Sequence, residues 1–205
     1  MLDDLAVTEA CVDAVRLATA SKKALDVLEE MGLDPSDAVA VIESLGDLDV
    51  TPDAHIAWVF RKDRQNQGPS RFSDGSVPVL YTALEIETAQ AEMAHYHLPM
   101  TPSGPVYLRS YRVAFEGTYK SLIELRTTHL FLTAERETGA YVECQGLARA
   151  AVAAGLDALE VPSARHATGR CFPIFSQQSV VSFDPGGYVQ FEFDESSNSW
   201  RARSL

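Results

Sequence analysis

Hydrophobic and polar positions change their rhythm near residue 55. Over the first 45 residues there is no sustained two-residue alternation, and the segment reads as two or three short helices. Ser21 can cap a helix running toward Gly32, Pro35 suits the first turn of the next, and Gly46 stops it. DLDVTPDA (47–54) reads as the link into the second part of the chain. From about residue 55 short β-rich runs alternate with turn residues. VPVLYTAL (77–84) predicts a strand, and EIETAQAEMAHYH (85–97) sets Ile86, Ala89 and Met93 at helical spacing. PVYLRSYRVAFEG (105–117) alternates like a half-buried strand, and SLIELRTTHLFLT (121–133) predicts a further strand segment. YVECQGLARAAVAAG (141–155) is an alanine-rich helix ending at Gly155. DALEVPSAR, CFPIFSQQSVVSF, YVQFEF and SWRAR then predict a run of mostly antiparallel strands. Without internal repeats, this is an α+β body over residues 55–205 carrying a helical extension over residues 1–50.

A chain of 205 residues can bury one good core, and a hydrophobic share of 46% with 22% charged lies in the globular range. No apolar run is long enough to span a membrane, and the first residues lack a basic region. A cytoplasmic protein with no membrane partner is expected. The net charge of -12 is uneven: residues 1–50 carry 12 acidic and 3 basic side chains, against 17 and 14 in the rest. With no basic patch, a nucleic-acid partner is not expected. Cys11, Cys144 and Cys171 are odd in number and widely spaced, so they read as buried thiols rather than disulfides or zinc ligands. His95 and His97 fall on different faces of one helix, and His55, His129 and His166 have no ligand spacing. No metal and no prosthetic group are expected.

Three segments in order resemble the RES domain, a family of bacterial toxins paired with Xre-type antitoxins and named for Arg, Glu and Ser positions. SRFSDGSVPVLYTALEIETAQAEMAHYH (70–97) is similar to the family's Arg-aromatic-Asn, Gly, Val-Tyr strand and Thr-Ala-x-x-Glu succession. GLDALEVPSAR (155–165) resembles its Gly-aromatic-Asp and Pro-Ser-x-Arg turn, and RCFPIF (170–175) the strand after that turn. With FRKDR (60–64) the likeness spans about residues 55–185. The chain departs from the pattern where Ser73 replaces the Asn and where Arg71 follows Arg61 by only ten positions. Arg61, or Arg64 in its place, is the counterpart of the first family arginine. The resemblance implies a split, mixed sheet like that of ADP-ribosyltransferases with flanking helices, and NAD as the substrate.

Cleaving the nicotinamide–ribose bond builds positive charge on the sugar, which a fixed carboxylate stabilises most in the transition state. The resemblance makes Glu92 that carboxylate, against the ordinary reading of a solvated helix glutamate. Arg71 and Arg61 flank the loop before the first strand, where guanidinium forks suit a pyrophosphate; exposed ion pairing is the bland alternative. Tyr81 offers a ring to nicotinamide or simply packs in the core. Ser163, after Pro162, is placed to orient NAD; no His and Asp accompany it in a triad order. Arg165 assists it or is structural. Glu92, Arg71 and Ser163 are therefore the catalytic candidates, with Arg61, Arg71, Tyr81, Ser163 and Arg165 contacting NAD.

The implied activity is a glycohydrolase or phosphorylase that arrests growth by depleting NAD. ADP-ribosyl transfer to a macromolecule and a degenerate NAD-binding module are the alternatives. An Xre-type antitoxin partner follows from the resemblance alone, and a homo-oligomer stays open. The acidic head reads as a solvated extension, or else as a negative cover over the arginine-lined cleft or the surface an antitoxin meets. As a cover, its deletion would raise NAD turnover.

Overall fold

The computed structural model describes residues 1–19, 56–57, 59–60, 69–96, 98, 105–135 and 139–205. Its sheet is organised around one long strand, β2 (Val106–Ser121), which buries Leu108, Tyr111, Val113 and Phe115. One edge of β2 takes β1 (Thr8–Thr19) antiparallel, from Thr8 opposite Tyr119 to Thr19 opposite Leu108. Two strands share the other edge. There β3 (Ala158–Pro162) runs parallel beside Tyr119 to Ser121, and β5 (Val180–Asp194) runs antiparallel beside Val106 to Phe115. The sheet therefore splits between Phe115 and Tyr119. At the split the Asp157 carboxylate accepts the Thr118 N–H at 2.9 Å and its hydroxyl at 3.0 Å, so the parting strands leave no orphan donor there. A Cβ on Gly117 would lie 2.7 Å from that carboxylate.

The short β4 (Arg170–Cys171) lines up antiparallel on β3, and β6 (Ser199–Ser204) on β5, giving the order β4-β3-β2-β5-β6 with β1 on the far edge of β2. Helix α1 (Ile86–Tyr96) packs Ile86, Ala89 and Met93 against Leu17, Leu108, Val189 and Phe191. Helix α2 (Ala140–Ala153) buries Cys144, Ala148 and Ala151 against Leu122, Leu159 and Val161, and the chain leaves it through Gly155 at φ 75°. The result is the α+β, split mixed sheet that the sequence implies.

Four expectations are corrected. Residues 8–19 are a strand of the sheet, not part of a helical head. Exposed Glu9, Cys11 and Asp13 alternate with more buried Ala10, Val12 and Ala14, a two-residue period muted by small alanines. Cys11 is accordingly exposed rather than a buried thiol. Segment 77–84 is extended but joins its neighbours only through isolated bridges, Leu80 to Ile174 and Ala83 to both Val15 and Cys171. Segment 121–133 holds no further strand beyond Ser121, the last residue of β2. Pairing with β3 ends where the Leu122 N–H meets the Glu160 carbonyl, and the amides of Leu125, Arg126 and Thr128 turn back on carbonyls three residues earlier. Residues 20–50 of the head, with Ser21, Gly32, Pro35 and Gly46, and the link 47–54 lie outside the described residues. Among the described residues no helix is long and apolar enough to cross a membrane.

Candidate functional site

Beside the apolar stripe of α1 runs a polar one. Glu85, Thr88, Glu92 and His95 succeed one another at three- and four-residue steps, which places them along one side of the helix. That side meets the turn from Ser163 to Gly169 between β3 and β4. Glu92 Oε1 accepts the Ser163 hydroxyl at 2.6 Å, the Ala164 N–H at 3.1 Å and the Cys171 thiol at 3.6 Å. Among the described residues, every hydrogen bond to this carboxylate falls on Oε1. Glu92 itself is half-buried, whereas Ser163 is fully buried.

The turn is built to hold Ser163 in place. Its Oγ accepts the N–H groups of Arg165 and His166, each at 3.0 Å, while donating to Glu92. Its own N–H reaches the Gly169 carbonyl at 2.8 Å. Arg126 closes the outer side, one guanidinium nitrogen donating to the carbonyls of Ser163 at 3.1 Å and His166 at 3.3 Å. Gly169 lets the turn press on α1, since a Cβ there would collide with Thr88 Oγ1 and come within 2.8 Å of the His166 Cβ. Farther along, Glu85 accepts the Arg170 Nε–H at 2.8 Å and the Thr88 hydroxyl at 3.0 Å.

Tyr81 and Arg71 approach from the loop before α1. The Tyr81 hydroxyl accepts the Phe72 N–H at 2.9 Å and shares a hydrogen bond with Ser70 Oγ at 2.8 Å, so the phenol ties down the loop carrying Arg71. Burial pushes this phenol up to about 12. The Tyr81 carbonyl accepts an N–H of Arg16 from β1 at 2.8 Å. Arg16 is half-buried, and desolvation lowers it to about 10. Arg71 lies with its guanidinium carbon 4.8 Å from the centre of the Tyr141 ring and donates to the Leu132 carbonyl at 3.3 Å. The Arg71 charge acts on Tyr81, Cys144, Glu135 and Cys171. The Cys171 thiol is pushed well above its usual value by burial, with the Glu92 charge adding. Arg165 pairs through both guanidinium nitrogens with Glu135, whose carboxyl is held low first by those hydrogen bonds.

Of the residues expected from the sequence, Glu92 and Ser163 are in direct contact. Arg165 is two residues farther on, and Arg71 and Tyr81 lie on one tethered loop whose cation is felt at Cys171 beside Glu92. Arg61 and its alternative Arg64 lie outside the described residues, as do His55 and His97. Sequence reasoning missed Arg16, Arg126, Glu135 and Cys171. Arg16 and Arg126 carry no local signal, because each acts on backbone carbonyls far along the chain. His95 is the next residue on the Glu92 side of α1, a position that helical spacing gives directly. An open depression lined by Phe60, Ser176, Gln177, Gln178 and Val180 shares no residue with this cluster.

No match is found among curated proteins. Among solved structures, the crystal structure of the M. tuberculosis MbcT-MbcA toxin-antitoxin complex contains a chain similar in fold. The sequences are 12% identical, the match covers 90% of this chain and 86% of that one, and the TM-score is 0.50. A family model described as RES domain matches residues 49–194, a span holding α1, the Ser163 turn and β2 to β5. The chain belongs to the RES domain family.

Proposed function

We propose that this protein is the toxin of a toxin–antitoxin pair and that it splits NAD between nicotinamide and ribose. The observation that carries this reading is the one-sided anchoring of Glu92: a buried serine, a backbone amide and a thiol all bind Oε1. The carboxylate is held rigidly, while its other oxygen accepts no hydrogen bond among the described residues. A negative charge fixed in a partly desolvated place suits the stabilisation of positive charge developing on a ribose. In the proposed step the C1′–N bond breaks, nicotinamide leaves as a neutral molecule with the bonding pair, and water or phosphate adds to the sugar carbon and gives up a proton. Arg71 and Arg165 bring guanidinium forks that suit the pyrophosphate, and the Tyr81 ring borders the same loop.

Family membership supports the toxin reading, and the similar fold in a complex with an antitoxin supports an antitoxin partner, of Xre type by the family resemblance. The test is nicotinamide release from NAD by the wild-type protein and by Glu92→Gln. The isosteric amide keeps the helix and loses the charge, so the rate should fall about a hundred- to a thousandfold while the circular dichroism spectrum is retained. No release by the wild type, freed of any antitoxin, would overturn the proposal. Label from the adenine half appearing on a macromolecule rather than as free product would redirect it to ADP-ribosyl transfer.

A further inference from the structure

One helical turn beyond Glu92, groups from three parts of the chain surround a single carboxylate. Arg165, from the Ser163 turn, grips Glu135 through both guanidinium nitrogens. His95 Nε2, from α1, lies 4.0 Å from Glu135 Oε2. The charge of Arg71, from the loop that Tyr81 tethers, is felt there as well. The two sides of this group differ in how they are held. The Arg165 side chain is only 13% exposed and its backbone amide is tied to Ser163 Oγ, whereas the Glu135 side chain is 52% exposed. The cation is built into the site, and the carboxylate reaches it from the surface.

A guanidinium fork accepts two oxygens of a phosphate with the same geometry as two oxygens of a carboxylate. We propose that Glu135 is a displaceable internal anion, seated where Arg165, with His95 and Arg71 around it, takes a phosphate group of the bound dinucleotide. The proposal rests on NAD being the substrate and adds a determinant of affinity to that reading. A ligand bearing phosphate must expel Glu135 and then tolerate its charge nearby, while a nicotinamide riboside without phosphate meets no such competition. Glu135 thus tunes how tightly phosphorylated ligands bind without touching the reacting bond.

The test is calorimetric titration of the full-length protein with inorganic pyrophosphate, comparing wild type, Glu135→Gln and Glu135→Ala. Exposed ion pairs are weak, so removing the competing charge should tighten pyrophosphate binding about two- to fivefold in both variants. Arg165→Gln should weaken it and abolish the gain on adding Glu135→Gln, the signature of coupled groups. Unchanged or weaker binding in both Glu135 variants would overturn the proposal. So would an undiminished gain in the Arg165→Gln background. The titration needs no turnover, so its result is separable from the NAD reading: nicotinamide release by the wild type with no tightening sinks only the Glu135 assignment. Tightening without any nicotinamide release leaves an anion site and sinks the NAD reading instead.

Discussion

Three hydrogen bonds gathered on one oxygen fix the Glu92 carboxylate in direction as well as in place. Ser163 is the centre of this arrangement, since the same hydroxyl donates to Glu92 and accepts two backbone N–H groups. Ser163→Ala removes all three bonds and leaves buried donors unpaired, which costs about 1–3 kcal/mol. A melting temperature lower by several degrees, together with slower nicotinamide release, is the expected result; an unchanged melting curve would show that the turn does not depend on its serine. Tyr81 makes a prediction in alkali. Its folded value near 12 lies above the ordinary 10.0 of a tyrosine, so its contribution to stability is complete below about pH 10 and is lost as the pH rises toward 12. Absorbance titration should show one phenol ionising only near pH 12 in the folded protein, and Tyr81→Phe should remove that step. At this scale the chemically distinctive residues, Glu92, Ser163, Arg71, Arg165 and Tyr81, were legible through their ordered motifs. Arg126 and Arg16 were not, because a guanidinium that binds distant carbonyls leaves no pattern along the chain.

Helix α1 and the Ser163 turn are brought together by a missing side chain. Gly169 is not in the left-handed region, so its role is steric: a Cβ would meet Thr88 Oγ1 and the His166 ring. Gly169→Ala should lift the turn off the helix and destabilise the protein by about 1–3 kcal/mol. Adding Thr88→Ala should restore part of the loss and not all of it, because the His166 clash remains. Chemical denaturation of the single and double variants measures this. Helix α1 was readable from the helical spacing of Ile86, Ala89 and Met93, which face one core, and α2 from its run of alanines ending at Gly155. β1 was not, because alanines at positions 10, 14 and 18 blur the contrast between its two faces. Segment 121–133 misled for a different reason: Leu122 and Leu132 are buried by tight turns that bring them inward at no regular period.

In the whole molecule β1 is a supporting member of the sheet rather than an appendage. It pairs with β2 over twelve residues, buries Ala14 and Leu17, and bridges the Tyr81 segment at Ala83. Deleting residues 1–50 therefore tests folding and not the release of a cleft. The truncated chain should be insoluble or lack a cooperative thermal transition, whereas a folded and more active truncation would return the acidic head to the role of a cover.

The pairing of Thr8 with Tyr119 also sets an order of events at the ribosome. The first strand emerges long before its partner, and its ladder hydrogen bonds to β2 cannot form until about a hundred further residues have been made. The Leu2 carbonyl, which receives the buried Lys120 ammonium at 2.6 Å, waits just as long. A nascent chain thus cannot seat β1, and Arg16 with it, in the sheet before β2 has been made. During that interval the unpaired early strand is an open edge that other chains, or a chaperone, can reach first.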